Sequence, residues 1–312
     1  MTGMVQNNSQ TGENHRGIVS RDAHDREREE ITGKPADFVL IDAALWGDEI
    51  EVAKGFHSNF RSLFRGEAGE ELDNVAPFLF SVEPQSDFAN WLKYRIGKDP
   101  ENRRVLWISS SATLDGLRKH FRRFLRVKKE DGGYIYFRFY DPYVIMTVFP
   151  HLTEKQQNDF LSSIESVHWQ YPLSEEIETI ENTATKEEEY KSDSCLPFNG
   201  GWILTKQQLD EIGREVFVRR VTMKIQKEGS CDMNAKSLFL FAKEKLRQAE
   251  QYGINKEDAV YEYILLSLRY KIMRTEVLPQ DIYLILCEAE KEQLQKIDEL
   301  KELLMIKRIQ YE

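Results

Sequence analysis

Short apolar runs and helical stripes alternate through the first half of the chain. Residues 38–41 and 105–108 are continuous apolar runs, and 78–82 is apolar apart from Ser81, which is the pattern of strands that are covered on both faces. Between 114 and 125, apolar residues recur at helical spacing and predict a helix. Asp-Gly-Gly at 131–133 separates two strand-like segments and predicts a hairpin. This alternation predicts an N-terminal α/β lobe with a mixed sheet.

The pattern becomes helical after Gly201. Thr205 and Gln208 have the spacing of a capping box, and a second helix is expected from about 234 to 251. Gly253 ends that helix, and Asn255 is expected to cap the next. Pro279 is expected to begin one last, long helix. The fold class is therefore α+β, with an all-α C-terminal lobe after the α/β lobe.

Composition along the chain suggests four segments. Residues 1–34 have almost no apolar periodicity, so we expect a flexible tail. An α/β domain then occupies 35–172. Within 173–194 there are eight acidic residues and two lysines, which favours an acidic linker over 173–198. The helical lobe follows at 199–312.

The overall charge and cysteine content narrow the class of protein. A net charge of −10 argues against a general nucleic-acid binder. The three cysteines are scattered and form no Cys-x-x-Cys pair, so a reducing, cytoplasmic compartment is expected. The first residues contain no apolar core of a signal peptide, and no apolar run approaches the roughly 18 residues of a membrane span. We therefore expect no membrane insertion.

Catalytic motifs are absent from the sequence, but two alternatives remain open. Asp42 and Asp141 each follow a predicted strand and could serve a metal-dependent hydrolase or nuclease. Seven cations within 118–129 could make a nucleic-acid-binding module. His120 falls on the basic face of its helix, where a solvent-facing or capping role is expected. The aromatic run 134–140 fits a buried strand better than a base-stacking platform.

Six blocks of sequence resemble the type VI secretion effector adaptor family, whose members are also called Tap or TEC chaperones. The blocks lie in the family's order at 40–44, 62–66, 75–79, 88–92, 117–125 and 137–142. The C-terminal half is similar to the helical lobe of longer members through 201–205, 217–220 and 249–254.

This resemblance implies a non-enzymatic, cytoplasmic adaptor that has no cofactor or metal and binds no nucleic acid. Its partners would be a cognate type VI effector, a toxin, and the VgrG spike onto which the effector is loaded. The residues that match the family motifs are Asp42, Arg118, His120, Arg138 and Asp141, and we expect a buried polar network more than direct partner contact. The positions expected to contact partners are Arg122, Arg123, Trp202 and Tyr252.

Overall fold

The computed structural model describes residues 19–21, 37–56, 59–64, 72–99, 104–170, 176–183, 202–270, 273 and 278–311. The chain divides into two compact units. The first takes in Met1–Leu125, Phe137–Tyr171 and Glu175–Asn199, and the second takes in Arg126–Tyr136, Pro172–Ser174 and Gly200–Glu312. The predicted fold class is confirmed, since strands and helices alternate in the N-terminal part and helices follow it.

Strands within the described residues form two sheets. Their bounds are β1 (Val19–Arg21), β2 (Phe38–Asp42), β3 (Phe60–Ser62), β4 (Pro77–Ser81), β5 (Val105–Ser109), β6 (Arg126–Lys129), β7 (Tyr134–Tyr136), β8 (Ser166–Gln170), β9 (Ile177–Glu181) and β10 (Ile203–Leu204). The first unit holds a seven-stranded sheet in the order β1-β9-β8-β5-β2-β4-β3, with neighbouring strands antiparallel. The second unit holds a three-stranded sheet, β10-β6-β7, in which β10 and β6 are parallel.

The three predicted apolar strands lie side by side in the larger sheet. Leu40 of β2 is paired with Leu79 of β4 on one side and with Leu106 of β5 on the other. All five residues of β2 are buried, as a strand with neighbours on both edges and cover on both faces requires. The apolar runs therefore correctly indicated strands that are buried in the interior of the sheet.

Helices of the first unit pack around this sheet. They are α1 (Ala43–Trp46), α2 (Glu49–Phe56), α3 (Asp87–Lys98), α4 (Leu114–Arg122), α5 (Pro142–Val148) and α6 (Glu154–Leu161). On α4 the predicted stripe is buried, because Leu114, Leu117 and Phe121 all face the interior. Phe121 stacks on Phe139 with ring centroids 5.2 Å apart, which joins α4 to the segment before α5.

The second unit contains five helices among its described residues: α7 (Lys206–Lys227), α8 (Ala235–Gln251), α9 (Glu257–Arg269), α10 (Gln280–Cys287) and α11 (Gln293–Tyr311). The capping box of Thr205 and Gln208 is confirmed. Two expectations were wrong. The segment after Pro279 is two helices instead of one, and Lys256, not Asn255, is the N-cap of α9. The side chain of Gln293 accepts from both backbone N–H groups there, so a cap from another helix replaces the local one.

The predicted hairpin is confirmed, but it groups with the helical unit and not with the α/β domain expected over 35–172. The reason is the parallel pairing of β10 with β6, which joins the hairpin to the chain just before α7. Gly132 has a φ of 93°, so this turn needs a residue that adopts positive φ without strain. The expected buried strand over 134–140 also differs: β7 ends at Tyr136, and Tyr134 and Tyr136 are exposed.

Part of the acidic segment is sheet and not linker. Residues 177–181, within the linker expected over 173–198, form β9 between β1 and β8. Alternate side chains of this strand, Glu178 and Ile180, are buried. The local excess of acid concealed this two-residue alternation. Residues 184–198 lie outside the described residues, as does the expected tail 1–34 apart from β1.

Candidate functional site

Asp42 ends a central strand and begins a helix. As the N-cap of α1, its Oδ1 accepts the backbone N–H of Ala44 at 3.0 Å. Its Oδ2 accepts a hydrogen bond from Nη2 of Arg138. The Asp42 side chain is 1% exposed, whereas that of Arg138 is 42% exposed. A buried carboxylate is therefore neutralised by a cation that also reaches solvent.

Asp141 repeats this arrangement at the start of α5. Its Oδ1 accepts the backbone N–H of Tyr143 at 3.0 Å, and its Oδ2 accepts from Nη2 of Arg104 at 3.2 Å. The guanidinium of Arg104 also lies over the ring of Tyr143, 3.9 Å from its centroid. Arg104 was missed by the sequence analysis. Arg104 lies directly before β5, and the strand order that pairs Val105 with Ile41, beside Asp42, has no local signal in the sequence.

These four residues form one aspartate–arginine cluster, made of Asp42, Arg104, Arg138 and Asp141. The two ion pairs are neighbours, because the backbone N–H of Asp141 donates to the carbonyl of Arg138 at 2.9 Å and Arg104 directly precedes Val105, the partner of Ile41 in the sheet. The backbone carbonyl of Arg104 accepts from Nε1 of Trp46, the last residue of α1, at 3.3 Å. Two cations and two anions meet at one end of the sheet, with no net charge.

Burial dominates the titration of Asp42. Burial raises the pKa of Asp42, and the hydrogen bond and charge of Arg138 offset this only in part. Burial lowers the pKa of Arg138, but its hydrogen bond and attraction to Asp42, with smaller contributions from Tyr140 and Asp141, together outweigh burial and raise it above the ordinary value. Each of the four carboxylate oxygens in the cluster already accepts a hydrogen bond. The arrangement therefore suits holding β2, α1, β5 and α5 together.

Arg118 and His120 lie elsewhere, so the five motif residues do not make one network. Arg118 donates from Nε to the carbonyl of Ser62 at 2.6 Å and from Nη2 to that of Phe64 at 3.1 Å. These bonds fasten α4 to the chain at the end of β3.

His120 is buried, so the expected solvent-facing position was wrong, whereas its contact with Phe160, in the last turn of α6, fits the capping alternative. Its Nε2 lies 2.7 Å from the carbonyl oxygen of Phe160. A carbonyl only accepts, so this nitrogen carries the proton and donates. Burial lowers the pKa of His120 to about 4, and the imidazole is neutral at pH 7. It joins α4 to α6 from within an aromatic cluster that includes Phe121 and Phe124.

The four expected partner contacts differ in accessibility. Trp202 is 2% exposed, so its side chain is not a surface contact as expected. Its backbone carbonyl instead accepts from the N–H of Lys128 at 2.9 Å, next to the pairing of β10 with β6. Arg123 is exposed and Arg122 is partly buried.

Tyr252 lies at the C-cap of α8, within the second unit. It lines a cavity of about 400 Å³ whose other lining residues are Gln251, Gly253, Cys287, Ala289, Lys291, Gln293 and Lys296. Its ring packs against those of Tyr263 and Tyr283. Tyr252 is therefore placed at a cavity, as a partner contact could be.

The cations of the 118–129 segment are dispersed. Arg118 is used internally, Lys129 pairs with Asp131 at 2.9 Å, and Lys119, Arg123 and Arg126 are exposed. Residues 118–123 belong to the first unit and 126–129 to the second. Within the part of the chain that the structure describes, no three His, Cys, Asp or Glu side chains are grouped so that they could hold a metal ion. None of the described helices is both long and apolar enough to cross a membrane.

Residues 38–159 match the model of a family described as Domain of unknown function (DUF4123). This DUF4123 region runs from β2 into α6. It contains the whole aspartate–arginine cluster together with Arg118 and His120, whereas the helices of the second unit lie outside it. No curated protein and no solved structure was found to match the chain.

Proposed function

We propose that this protein is a type VI secretion effector adaptor. In this role it is a non-enzymatic, cytoplasmic protein that binds one cognate effector toxin and loads it onto the VgrG spike. The observation that carries the proposal is the DUF4123 match over 38–159, because adaptors of this secretion system are known in that family. The six sequence blocks that resemble the family all lie within these residues.

The cluster geometry supports an adaptor over an enzyme. A general base or metal ligand needs a carboxylate oxygen that can reach substrate or metal. In Asp42 and Asp141 one oxygen accepts from a helix N-terminus and the other from an arginine. These contacts favour a structural role for both aspartates over a catalytic one.

The composition of the protein supports a protein partner. The chain carries a net charge of −10, which disfavours binding to the phosphate backbone of a nucleic acid. Large apolar side chains are nevertheless exposed in the described part of both units, among them Phe56, Tyr94, Tyr134 and Leu284. Apolar and aromatic side chains of this kind supply binding energy at protein interfaces.

The decisive experiment is affinity capture of the tagged protein from cells of its own source with the secretion genes expressed. We expect mass spectrometry to find one toxin-like protein in near-stoichiometric amount, with or without VgrG. Recovery of the protein alone, at low salt, would overturn the proposal. So would a hydrolase or nuclease activity that requires added Mg²⁺ or Mn²⁺ and disappears in Asp141→Asn.

A matched pair of variants separates surface effects from loss of fold. Arg123→Glu reverses an exposed charge in the DUF4123 region, and Arg138→Met breaks the cluster. If the aspartate–arginine cluster serves only to hold the fold together, Arg138→Met should reduce client capture only as far as it unfolds the protein. Loss of client from a fully folded Arg138→Met protein would instead make the cluster a contact surface.

A further inference from the structure

One face of the three-stranded sheet carries exposed aromatic side chains together with an exposed arginine and a half-buried lysine. Directly paired residues of adjacent strands project from the same face of a sheet. The pairs are Arg126 with Tyr136 and Lys128 with Tyr134 between β6 and β7, and Ile203 with Lys128 between β10 and β6. We call these five residues the outer face.

The two faces of this sheet differ in burial. On the inner face, Val127 and Leu204 are buried. On the outer face, Tyr134 is 49% exposed, and Tyr136 and Ile203 are comparably open. Such a group is unusual on a sheet that is only three strands wide, because tyrosine and isoleucine gain little from lying in water. The outer face has the composition of the central part of a protein interface, where tyrosine and arginine are enriched.

The rings and cations of the outer face are organised together. The guanidinium of Arg126 lies over the ring of Tyr134, 4.6 Å from its centroid. This contact holds a long side chain in place and leaves its N–H groups available to an incoming carboxylate. An ordered cation loses less conformational entropy on binding than a free one.

The outer face contains no acidic residue of its own. Among the described residues, neither Arg126 nor Lys128 forms an ion pair. The nearby acids are engaged: Asp131 pairs with Lys129, and Oε2 of Glu130 accepts from the backbone N–H of Lys206 at 3.1 Å. In a chain of net charge −10, these two cations mark a positive site.

We propose that the outer face binds an acidic segment of the client effector, with apolar side chains between its carboxylates. The inference rests on the proposed adaptor function and names the surface and the chemistry of the client. The carboxylates pair with Arg126 and Lys128, and the apolar side chains cover Tyr134, Tyr136 and Ile203. Nucleic acid fits less well, because two cations neutralise few phosphates and leave the apolar positions unmatched.

Site-specific photo-crosslinking tests the inference in the full chain. The photoreactive residue p-benzoylphenylalanine replaces Tyr134 in one protein and Tyr94 in a matched control. Tyr94 on α3 is also exposed, at 59%, and it likewise has a cation, Lys98, near its ring at 5.5 Å. We expect position 134 to crosslink to a client peptide with more acidic than basic residues, and position 94 to give at least roughly tenfold less.

A charge-reversal pair gives a second readout. Arg126→Glu with Lys128→Glu should lower the amount of client retained by roughly tenfold or more, since carboxylates would then face carboxylates. Lys93→Glu with Lys98→Glu, the matched control on α3, should change it less than about twofold. Thermal unfolding of each variant shows that the fold is kept.

The possible outcomes separate this inference from the adaptor proposal. If the unmodified protein captures no client, the proposed function fails. The outer face is not the docking site if the captured client does not crosslink to position 134. The same holds if the Arg126→Glu, Lys128→Glu variant retains the client in full. Crosslinks from position 134 to nucleic acid, or only to this chain, would also overturn the inference.

Discussion

Arg138 donates a hydrogen bond to Asp42 across 96 residues of sequence. The contact joins the segment before α5 to the end of β2, an interior strand of the larger sheet. Asp42 is buried while Arg138 keeps contact with solvent, so the two partners do not depend on each other equally. A buried carboxylate requires its cation, whereas a half-exposed guanidinium can turn to water.

Removing the cation should therefore destabilise the protein more than neutralising the acid. We expect Arg138→Met to lower the free energy of unfolding by about 2 kcal/mol, less than for a fully buried pair because Arg138 is 42% exposed. Asp42→Asn should lower it by less than about 1 kcal/mol, since asparagine also caps helices. Urea unfolding at pH 7 measures both values.

Arg138→Met should lower the free energy of unfolding by an amount that depends on pH, and this deficit provides an independent check. Burial already raises the pKa of Asp42 from its ordinary 3.8, and loss of Arg138 raises it further. A raised carboxyl pKa makes the folded state less stable as pH rises above the ordinary value. The deficit relative to the unmodified protein should thus shrink as pH falls toward 4. A deficit that does not change with pH would show that Arg138 stabilises the fold by packing alone.

Arg104 should not be replaceable by lysine. Its guanidinium both bonds Asp141 and lies flat over Tyr143, and an ammonium group can do only the first. We expect Arg104→Lys to lower the free energy of unfolding by about 1 kcal/mol. The control is Arg61→Lys, at an exposed pair with Asp115, which should change it by less than about 0.5 kcal/mol. Equal effects at the two sites would contradict the importance of the stacked geometry.

Strands, helix caps and helical stripes that depend on residues close together in the sequence were predicted correctly. The strand at 38–41 was recognisable because a strand covered on both faces must be apolar throughout. Thr205 was recognisable as a helix cap because Gln208 follows it three positions on. The burial of Leu114, Leu117 and Phe121 likewise follows from helical spacing.

Contacts that depend on strand order could not be predicted in this way. Arg104 reaches the cluster because β5 lies beside β2, and no local pattern gives that neighbour. The hairpin at 126–136 joins the helical unit through a pairing with only two residues, 203 and 204. The burial of Trp202 accompanies that pairing, so an expected surface contact became an interior residue. β9 was hidden because Glu178 occupies a buried position that usually holds an apolar residue.

His120 should make stability depend on pH below neutrality. Burial lowers its pKa to about 4, below the roughly 6.5 of an unfolded histidine. Between these values the unfolded chain binds the proton and the folded chain does not, so stability decreases as pH falls through this window. The difference amounts to roughly 3 kcal/mol, fully present above pH 6.5 and lost near pH 4.

A histidine variant isolates this effect. Burial also lowers the pKa of His168 to about 4, so both residues contribute in the same direction. His120→Gln should reduce the slope of unfolding free energy against pH between 6.5 and 4, and His168→Gln should do so independently. Chemical unfolding at intervals of half a pH unit measures the slopes. If the variant that combines His120→Gln and His168→Gln has the same slope as the unmodified protein, burial does not keep either imidazole neutral.

Lys296 should stabilise the helical unit through the ends of two other helices. It is buried, and its Nζ donates to the carbonyls of Tyr252 at 3.3 Å and Leu286 at 3.1 Å. Tyr252 is the C-cap of α8 and Leu286 lies in the last turn of α10, where backbone carbonyls lack helical partners and carry partial negative charge. We expect Lys296→Met to lower the free energy of unfolding by about 2–3 kcal/mol.

The matched control for this prediction is Lys301→Met on the same helix. Lys301 pairs with Glu262 at 3.1 Å, but both side chains are about one-third exposed, so the change should be below about 1 kcal/mol. Because methionine keeps the length of the apolar stem, a difference between the two variants reports the buried hydrogen bonds and not packing. Amide hydrogen exchange should then show faster exchange at the C-terminal turns of α8 and α10 in Lys296→Met. Equal stability losses with unchanged exchange at both turns would mean that Lys296 does not cap these helices.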